Sequence, residues 1–422
     1  MHIFGASLVF VCDESFSIIH NGGIAFEANK DRILEVGTYE ELCALYPHAK
    51  AEFAHNSVLL PALINAHIHF EFGAHLAQFC YGDFGEWLDS LMSQRDSVLA
   101  HNDMESIITQ GINEQLSAGV GSVGAISSYG GDMPFLARSP LRVVYFNEAI
   151  GSNPSAIDML YGNLLERFYR AKELQNETFI PALALHSPYS LHPIMAQKII
   201  EIAHKEHLPF SAHFLESPQE AQWLGDNSGY FKGFFQRLAG LANPSRFYTP
   251  QSFLDMLSPL QNQPLSLTHC LHISPAEVEH IETLKAAIIT CPRSNRLLNN
   301  AFFPRHLIES AAIPLAIGTD GKSSNNNVNL LDELRVSLYA YEKANLNAFG
   351  KALILNATLH GAKALGLNNG ILQAGKNVDF AIFAFKDSLY NEAQNHVNQA
   401  PLHFILHATK PTHLYVNAKA VI

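Results

Sequence analysis

The feature that most constrains the fold is a series of eight short β-prone segments between residues 58 and 320, separated by stretches with helical periodicity. The predicted strands are Val58–Ile64, Val120–Ile126, Leu141–Phe146, Ile180–Leu185, Leu208–His213, Leu265–His269, Ala287–Cys291 and Ile313–Thr319. Strands that alternate with helices indicate an α/β protein with a parallel sheet. Eight such units over about 260 residues favour a closed (β/α)8 (TIM) barrel over a doubly wound sheet.

The two ends of the chain have a different pattern of apolar and turn-forming residues from the middle. Short apolar stretches broken by Asn and Gly occur before residue 58, and the C-terminal segments Val378–Phe385 and His413–Val416 repeat this pattern. Segments of this kind are typical of strands and turns. We therefore predict a small β-sandwich domain formed by residues 1–57 and 368–422, and a barrel domain formed by residues 58–367.

The composition limits the partners. The chain of 422 residues has a net charge of −12, which argues against binding to nucleic acid or to an anionic membrane. Five cysteines without a CxxC motif argue against a disulfide framework and fit a reducing compartment. The sequence has no secretory signal pattern and no apolar run of about 18 residues, so we expect a cytoplasmic protein.

Histidines and one aspartate fall where the predicted strands end. Side chains alternate along a strand, so His67 and His69 face the same side. His213 ends the fifth predicted strand, His269 ends the sixth, and Asp320 follows the eighth. Each motif alone also fits an ordinary structural role near a strand end, and for Asp320 this role would be in a turn or a helix cap. Their shared position at the C-terminal ends of strands, where barrel active sites form, favours a site for a divalent ion.

These residues resemble the amidohydrolase superfamily, in the branch of metal-dependent aminohydrolases that act on nucleobases and nucleosides. The motifs that carry the resemblance span nearly the whole chain: Leu60–His69, His186–Tyr189, His213–Glu216, His269–Cys270, Cys291–Asn295, Gly318–Asn326 and Ala357–Leu367. The resemblance implies a barrel joined to a β-sandwich made from both termini.

The resemblance also implies roles for individual residues. It implies four ligands of one divalent zinc or iron ion: His67, His69, His213 and Asp320. Glu216 is implied to be the proton shuttle to the ring nitrogen of the substrate. His269 is implied to orient and deprotonate the attacking water together with Asp320. Bound to zinc, such a water has a pKa of about 7.

Three further positions match substrate contacts of the superfamily: His186 after the fourth strand, Trp87 in an aromatic lid segment, and Ser324. Three places depart from the pattern. Ala62 stands where a glycine is usual, and Gly85 stands where some nucleoside deaminases have an acidic residue in the lid, which argues against contacts to a standard ribose. Asn147-Glu148, after the third strand, differs from the arginine-bearing pattern of close relatives.

Residues 213–217 and 291–298 are most similar to the aminofutalosine deaminases of menaquinone biosynthesis. These enzymes hydrolyse the adenine amino group of 6-amino-6-deoxyfutalosine, a small-molecule nucleoside. That substrate has a benzoate-like carboxylate, so the resemblance predicts a cation near the pocket. Arg142 and Arg293 are the candidates, and each also fits a structural arginine near a strand end.

Other functions remain open at this point. A related aminohydrolase would act on S-adenosylhomocysteine, methylthioadenosine or guanine. A binuclear cyclic-amide hydrolase would need a carbamylated lysine on the fourth strand, but that strand ends in Ala184-Leu185-His186, which favours one ion per chain. A non-catalytic scaffold is disfavoured because such proteins typically lose metal ligands, whereas all four candidate ligands remain in this chain. Assembly into a homo-oligomer is left open.

Overall fold

A computed structural model describes residues 1–28, 30–74, 76–100, 103–239, 242–342, 344–389 and 396–422. Within these ranges, eight parallel strands form one sheet in chain order. They are β5 (Leu63–Ile68), β6 (Val120–Ser127), β7 (Arg142–Ala149), β8 (Phe179–Leu185), β9 (Phe210–Phe214), β10 (Leu265–His269), β11 (Ala287–Thr290) and β12 (Leu315–Ile317). The predicted (β/α)8 barrel is confirmed.

The first and last strands of this sheet meet at their C-terminal ends. The backbone amides of Thr319 and Asp320 both donate to the carbonyl oxygen of His67, over 3.1 Å each. Gly318 makes this approach possible, because a Cβ atom there would lie only 2.7–2.9 Å from atoms of His67. The contact brings the chain after β12 directly against the His67–His69 segment.

The helices lie around the barrel, except for the first, which packs against Ile3 and Ala25 of the N-terminal strands. They are α1 (Tyr39–Leu45), α2 (Phe84–Leu99), α3 (Met104–Ser117), α4 (Met133–Leu136), α5 (Ile157–Glu173), α6 (Pro193–Glu206), α7 (Pro218–Asp226), α8 (Tyr230–Ala239), α9 (Pro250–Met256), α10 (Pro275–Leu284), α11 (Pro292–Asn299), α12 (Leu330–Ala340), α13 (Leu346–Asn356), α14 (Leu359–Leu365) and α15 (Ala400–His407). Ala362 and Leu365 of α14 pack with Ile64 and Val144 in the barrel interior. In the described part of the chain, no helix has both the length and the apolar character of a membrane span.

Both termini contribute to a second sheet, as predicted. Its seven strands lie in the order β15-β14-β13-β4-β1-β2-β3. They are β1 (His2–Phe10), β2 (Ile18–Phe26), β3 (Ile33–Thr38), β4 (Lys50–Pro61), β13 (Phe380–Ala384), β14 (His413–Val416) and β15 (Lys419–Ala420). Strand β1 pairs parallel with β4, and the other pairs are antiparallel. Phe4, Phe26 and Phe380 form the centre of its apolar core.

The first predicted barrel strand, Val58–Ile64, is wrong in its extent. The chain changes sheets inside this apolar run: the amide of Ala62 donates to Asp379 in the terminal region, and that of Leu63 donates to Gly119 beside the barrel. Val58 pairs with Phe383 of β13. A continuous buried run has no alternation that would mark such a change.

Candidate active site

The residues predicted as metal ligands lie together at the C-terminal ends of β5 and β9 and just after β12. The ring centroids of His67 and His69 are 5.0 Å apart, and those of His67 and His213 are 4.9 Å apart. Oδ1 of Asp320 lies 3.7 Å from Nε2 of His67 and 3.6 Å from Nε2 of His69. One nitrogen from each of the three histidines lies within 4.8 Å of the others.

A carboxylate oxygen of Asp320 is directed at these histidines because its other oxygen is already occupied. The hydroxyls of Ser294 and Ser324 each donate to Oδ2 over 2.7 Å. Burial pushes the pKa of Asp320 upward, but His67, whose Nε2 lies 3.7 Å away, and the other nearby imidazoles outweigh burial, so the pKa lies well below its usual value. The anionic form therefore faces the histidine cluster.

Burial keeps the imidazoles neutral, which is the form that binds metals. It lowers the pKa of His69 to about 3 and lowers those of His67 and His213 as well. Nε2 of His67 is buried and has no hydrogen-bond partner among the described residues, although such atoms are rarely left unpaired. Three neutral imidazoles and one carboxylate oxygen are a donor set that fits zinc or iron.

The backbone bends sharply where these side chains are presented. Leu215, His269 and Asp320 adopt positive φ angles of 47°, 71° and 59°, a region that non-glycine residues rarely occupy. A register shift between β5 and β6, a β-bulge, lies between Asn65 and Ile68 and includes His67. Strained backbone and bulges of this kind concentrate at functional sites, where they aim side chains that a regular strand would direct elsewhere.

Glu216 is buried at the edge of the cluster, with Oε1 3.6 Å from Nε2 of His269. Burial first, and then the charge of Asp320, raise the pKa of Glu216 well above its usual value. The backbone amide of Glu216 donates to Oε2 of Glu220 over 2.9 Å, which fixes the turn before α7. A carboxyl group that keeps its proton near neutral pH can serve as a general acid.

His269 is held in one tautomer. Its Nδ1–H donates to Oδ1 of Asn295 over 2.8 Å, and the amide group of Asn295 donates to Thr290. This leaves the lone pair on Nε2, the nitrogen that faces Glu216, and burial lowers the pKa of the ring. His269 is therefore oriented as a proton acceptor.

The residues predicted to contact substrate lie in three different settings. His186 borders the cluster, 5.2 Å from the His213 ring, and its Nδ1–H donates to Ser190. Trp87, in α2, donates to the carbonyl oxygen of Ser323 over 2.9 Å, which ties this helix to the loop after β12. The hydroxyl of Ser324 donates to Asp320, so it orients that carboxylate.

Arg142, predicted to hold a substrate carboxylate, lies elsewhere. It is the first residue of β7, at the opposite end of the barrel from the cluster. Its guanidinium donates to both oxygens of Asp379, over 2.7 and 3.1 Å, and to the carbonyl oxygen of Glu177. The prediction is corrected: Arg142 joins the barrel to the terminal sheet.

Arg293 is also engaged in structure rather than directed into the pocket. Its Nε donates to the buried Glu333 over 2.8 Å, and its remaining nitrogens donate to Asn326, Asn327 and Asn329. These bonds hold the segment that follows Ser324. The assignment of Arg293 to a substrate carboxylate is therefore corrected as well, because its donors are already used.

Sequence reasoning gave no role in the site to three buried acids beside the cluster: Glu71, Asp132 and Glu148. Oε1 of Glu148 lies 3.4 Å from Nδ1 of His213. Asp132 accepts hydrogen bonds from Ser127 and Tyr145, both over 2.7 Å. Glu148 lies near the C-terminal end of a predicted barrel strand, so the criterion that selected the histidines would also have found it.

The chain matches known proteins over its whole length. A model of the amidohydrolase family matches residues 58–421. A Helicobacter pylori protein named adenosine deaminase is 38% identical over 428 residues, 100% of this chain and 99% of that protein. An aminodeoxyfutalosine deaminase of Nitratiruptor is 38% identical over 403 residues, 96% of each chain.

A solved structure is similar in fold as well as in sequence. The crystal structure of Helicobacter pylori aminofutalosine deaminase in complex with methylthio-coformycin superimposes with a TM-score of 0.93 and 37% identity, over 100% of both chains. The family match covers the barrel and all three C-terminal strands of the terminal sheet. This chain belongs to the amidohydrolase family.

Proposed function

We propose that this chain is a hydrolytic deaminase of an adenine-type nucleoside and that its substrate is 6-amino-6-deoxyfutalosine, which it converts to futalosine and ammonia in menaquinone biosynthesis. The observation that carries the proposal is the buried Glu216 carboxyl group, with Oε1 3.6 Å from Nε2 of His269, beside the candidate ligand cluster. The 38% identity to a Nitratiruptor aminodeoxyfutalosine deaminase over 96% of each chain supports this substrate.

One divalent ion per chain, zinc or iron, would be held by four residues: His67, His69, His213 and Asp320. When bound, such an ion activates water as a nucleophile near neutral pH. The fourth barrel strand has no lysine at its end, where a binuclear site would need one. Metal analysis that finds two ions per chain would contradict this part of the proposal.

The reaction forms a C–O bond at the amine-bearing carbon of the ring and breaks the C–N bond. His269, with its Nε2 lone pair free, takes a proton from the attacking water. Glu216 gives its proton to the adjacent ring nitrogen, which removes the negative charge that develops there. The hydroxyl proton of the tetrahedral intermediate then passes through Glu216 to the amine, which departs as ammonia as the carbonyl forms. The proton on His269 restores the acid form of Glu216, whose Oε1 lies 3.6 Å from Nε2 of His269. General acid–base catalysis of this type contributes about 10²–10⁴-fold in rate.

His186 and Trp87 border this chemistry and are proposed to contact the nucleoside. His186 presents Nε2, because its Nδ1 is occupied by Ser190. Trp87 presents a large apolar surface on a helix tethered at the mouth of the barrel. Ser324 is proposed to act through Asp320 instead of on the substrate.

The deciding experiment measures ammonia release from a panel of adenine and guanine compounds. The panel contains aminodeoxyfutalosine, adenosine, S-adenosylhomocysteine, methylthioadenosine and guanine, each tested with metal-loaded and chelator-treated enzyme. We expect aminodeoxyfutalosine to have the highest kcat/KM. Adenosine is included because one relative is named an adenosine deaminase. A higher kcat/KM for another member would overturn the substrate, and no release from any member would overturn the deaminase.

A further inference from the structure

The C-terminal half of β7 places a buried carboxyl group behind one of the candidate metal ligands. Glu148 is fully buried, and its Oε1 lies 3.4 Å from Nδ1 of His213. Neither atom has a hydrogen-bond partner among the described residues. Two buried polar atoms at this distance are expected to pair, because an unpaired buried group loses its hydration without replacement.

The Glu148 side chain and backbone are held from several directions. Ser128 donates its hydroxyl hydrogen to Oε2, the carboxylate oxygen that does not face the histidine. Arg167 donates to the carbonyl oxygens of Ser127 and Glu148, over 3.1 and 3.0 Å. These contacts fix the ends of β6 and β7 and leave Oε1 directed at His213.

The two nitrogens of the His213 ring must then have different roles. Nδ1 faces Glu148, so Nε2 is the nitrogen left to bind an ion. A neutral imidazole that carries its hydrogen on Nδ1 has its lone pair on Nε2. An acceptor at Nδ1 selects that tautomer, fixes the ring orientation and makes Nε2 a stronger donor to the metal.

We infer that Glu148 is a positioning residue of the metal centre, which accepts the Nδ1–H of His213 and thereby holds that imidazole in its metal-binding tautomer. This inference rests on the proposed metal site and adds a residue to it. A different assignment uses the same atoms: Glu148, His186 and His213 also lie within 4.8 Å of one another and would make Glu148 a ligand of a second ion.

The test measures metal affinity and stoichiometry of purified chain, without substrate. The apo forms of the wild type, Glu148→Ala and Glu148→Gln are titrated with zinc against a competing chelator. We expect Glu148→Ala to weaken zinc binding about 10–100-fold, the range for loss of such a partner, with the stoichiometry still at one ion. Glu148→Gln keeps an acceptor oxygen, so we expect it to lie closer to the wild type.

Asp132→Asn is the matched control, since Asp132 is a neighbouring buried acid whose hydrogen bonds go to Ser127 and Tyr145 instead of to a histidine. We expect its zinc affinity to equal that of the wild type. Ser128→Ala tests the same interaction with a smaller change in the protein, in case Glu148→Ala does not fold. It removes only the hydroxyl on Oε2, and we expect affinity to fall about two- to tenfold.

A spectroscopic measurement separates positioning from general damage. With cobalt(II) in the site, Glu148→Ala should shift the visible absorption bands of the ion, whereas Asp132→Asn should not. Unchanged zinc affinity and spectrum in both Glu148→Ala and Ser128→Ala would overturn the inference. So would two ions in the wild type with one lost in Glu148→Ala, or equal weakening in Asp132→Asn. If the wild type binds no zinc, iron or cobalt, the proposed metal site itself fails.

Discussion

Strand β7 carries one buried charged side chain near each of its ends, and the two have opposite surroundings. Arg142, its first residue, has charged and carbonyl partners for its donors, including both oxygens of Asp379. Glu148, near its last residue, has one oxygen beside His213 that lacks a hydrogen-bond partner in the part of the chain that the structure describes. At the lower end, Arg142 therefore has its partners within the chain, whereas at the upper end Oε1 of Glu148 and Nε2 of His67 have no hydrogen-bond partner among the described residues. This agrees with the separation of stability and catalysis between the two faces of such barrels.

The largest expected effect lies at the upper end. Glu216→Gln keeps the shape of the side chain but removes the proton that the carboxyl group donates, so kcat should fall about 10²–10⁴-fold. Metal content, measured by elemental analysis, should stay at the wild-type level. Glu166→Gln, at an exposed position of α5, is the control and should leave kcat unchanged. Near-normal turnover in Glu216→Gln would remove the assigned proton donor.

The next effect lies at the lower end. Arg142→Met leaves Asp379 as a buried charge without its ion-pair partner, so the free energy of unfolding should fall by about 3–5 kcal/mol. Chemical denaturation measures this loss, and kcat and KM of the folded fraction should not change. The double variant Arg142→Met/Asp379→Leu removes both charges and should recover much of the stability. A raised KM without a loss of stability would restore Arg142 as a substrate-binding residue.

The pH dependence of turnover should also depend on Glu216, at the upper end of the barrel. The pKa of Glu216 is raised well above its usual value, so the acid form persists to higher pH than in an ordinary glutamate and is lost as the pH rises through the raised pKa. Above it, kcat should fall about tenfold per pH unit. The residual rate of Glu216→Gln should not have this alkaline decline. The same decline in both proteins would mean that another group causes it.

The smallest expected effect concerns the pH dependence of stability. Burial, followed by the charge of Glu71, raises the pKa of Asp132 from 3.8 to about 8 in the folded chain. Between these values the folded form binds one more proton than the unfolded form, so the free energy of unfolding falls as pH rises. The slope from this group is at most about 1.4 kcal/mol per pH unit. Denaturation at pH 6 and 7 should give a flatter dependence for Asp132→Asn, and an equal slope in both proteins would contradict the assignment.

The strand-end criterion worked for the histidines because parallel strands in a barrel bring their C-terminal ends to one rim. His67, His213 and Asp320 are far apart in the chain, yet each was located from the end of its own predicted strand. Glu148 lies near the end of β7 in the same way, so the same criterion places it at this rim. Roles in binding and catalysis stay predictions for all of these residues.

The predictions that Arg142 and Arg293 bind a substrate carboxylate were wrong for a different reason. Their partners lie far along the chain: Asp379 is 237 residues from Arg142, and Glu333 is 40 residues from Arg293. A local pattern locates a cation near a strand end but contains no information about which distant carboxylate will meet it. The change from one sheet to the other at Ala62 was not predicted either, because a buried apolar run has the same local pattern in both sheets.

The sequence by itself determined the eight alternating units, the joining of both termini in a second sheet, and the residues that gather at the upper rim. Periodicity and strand ends are local properties, so they can be read along the chain. Only the tertiary structure decided which oxygen of Asp320 faces the histidines, which nitrogen of His213 faces Glu148, and which arginines are already paired. These depend on contacts between distant segments, where burial makes an unpaired polar atom costly and so selects its partner.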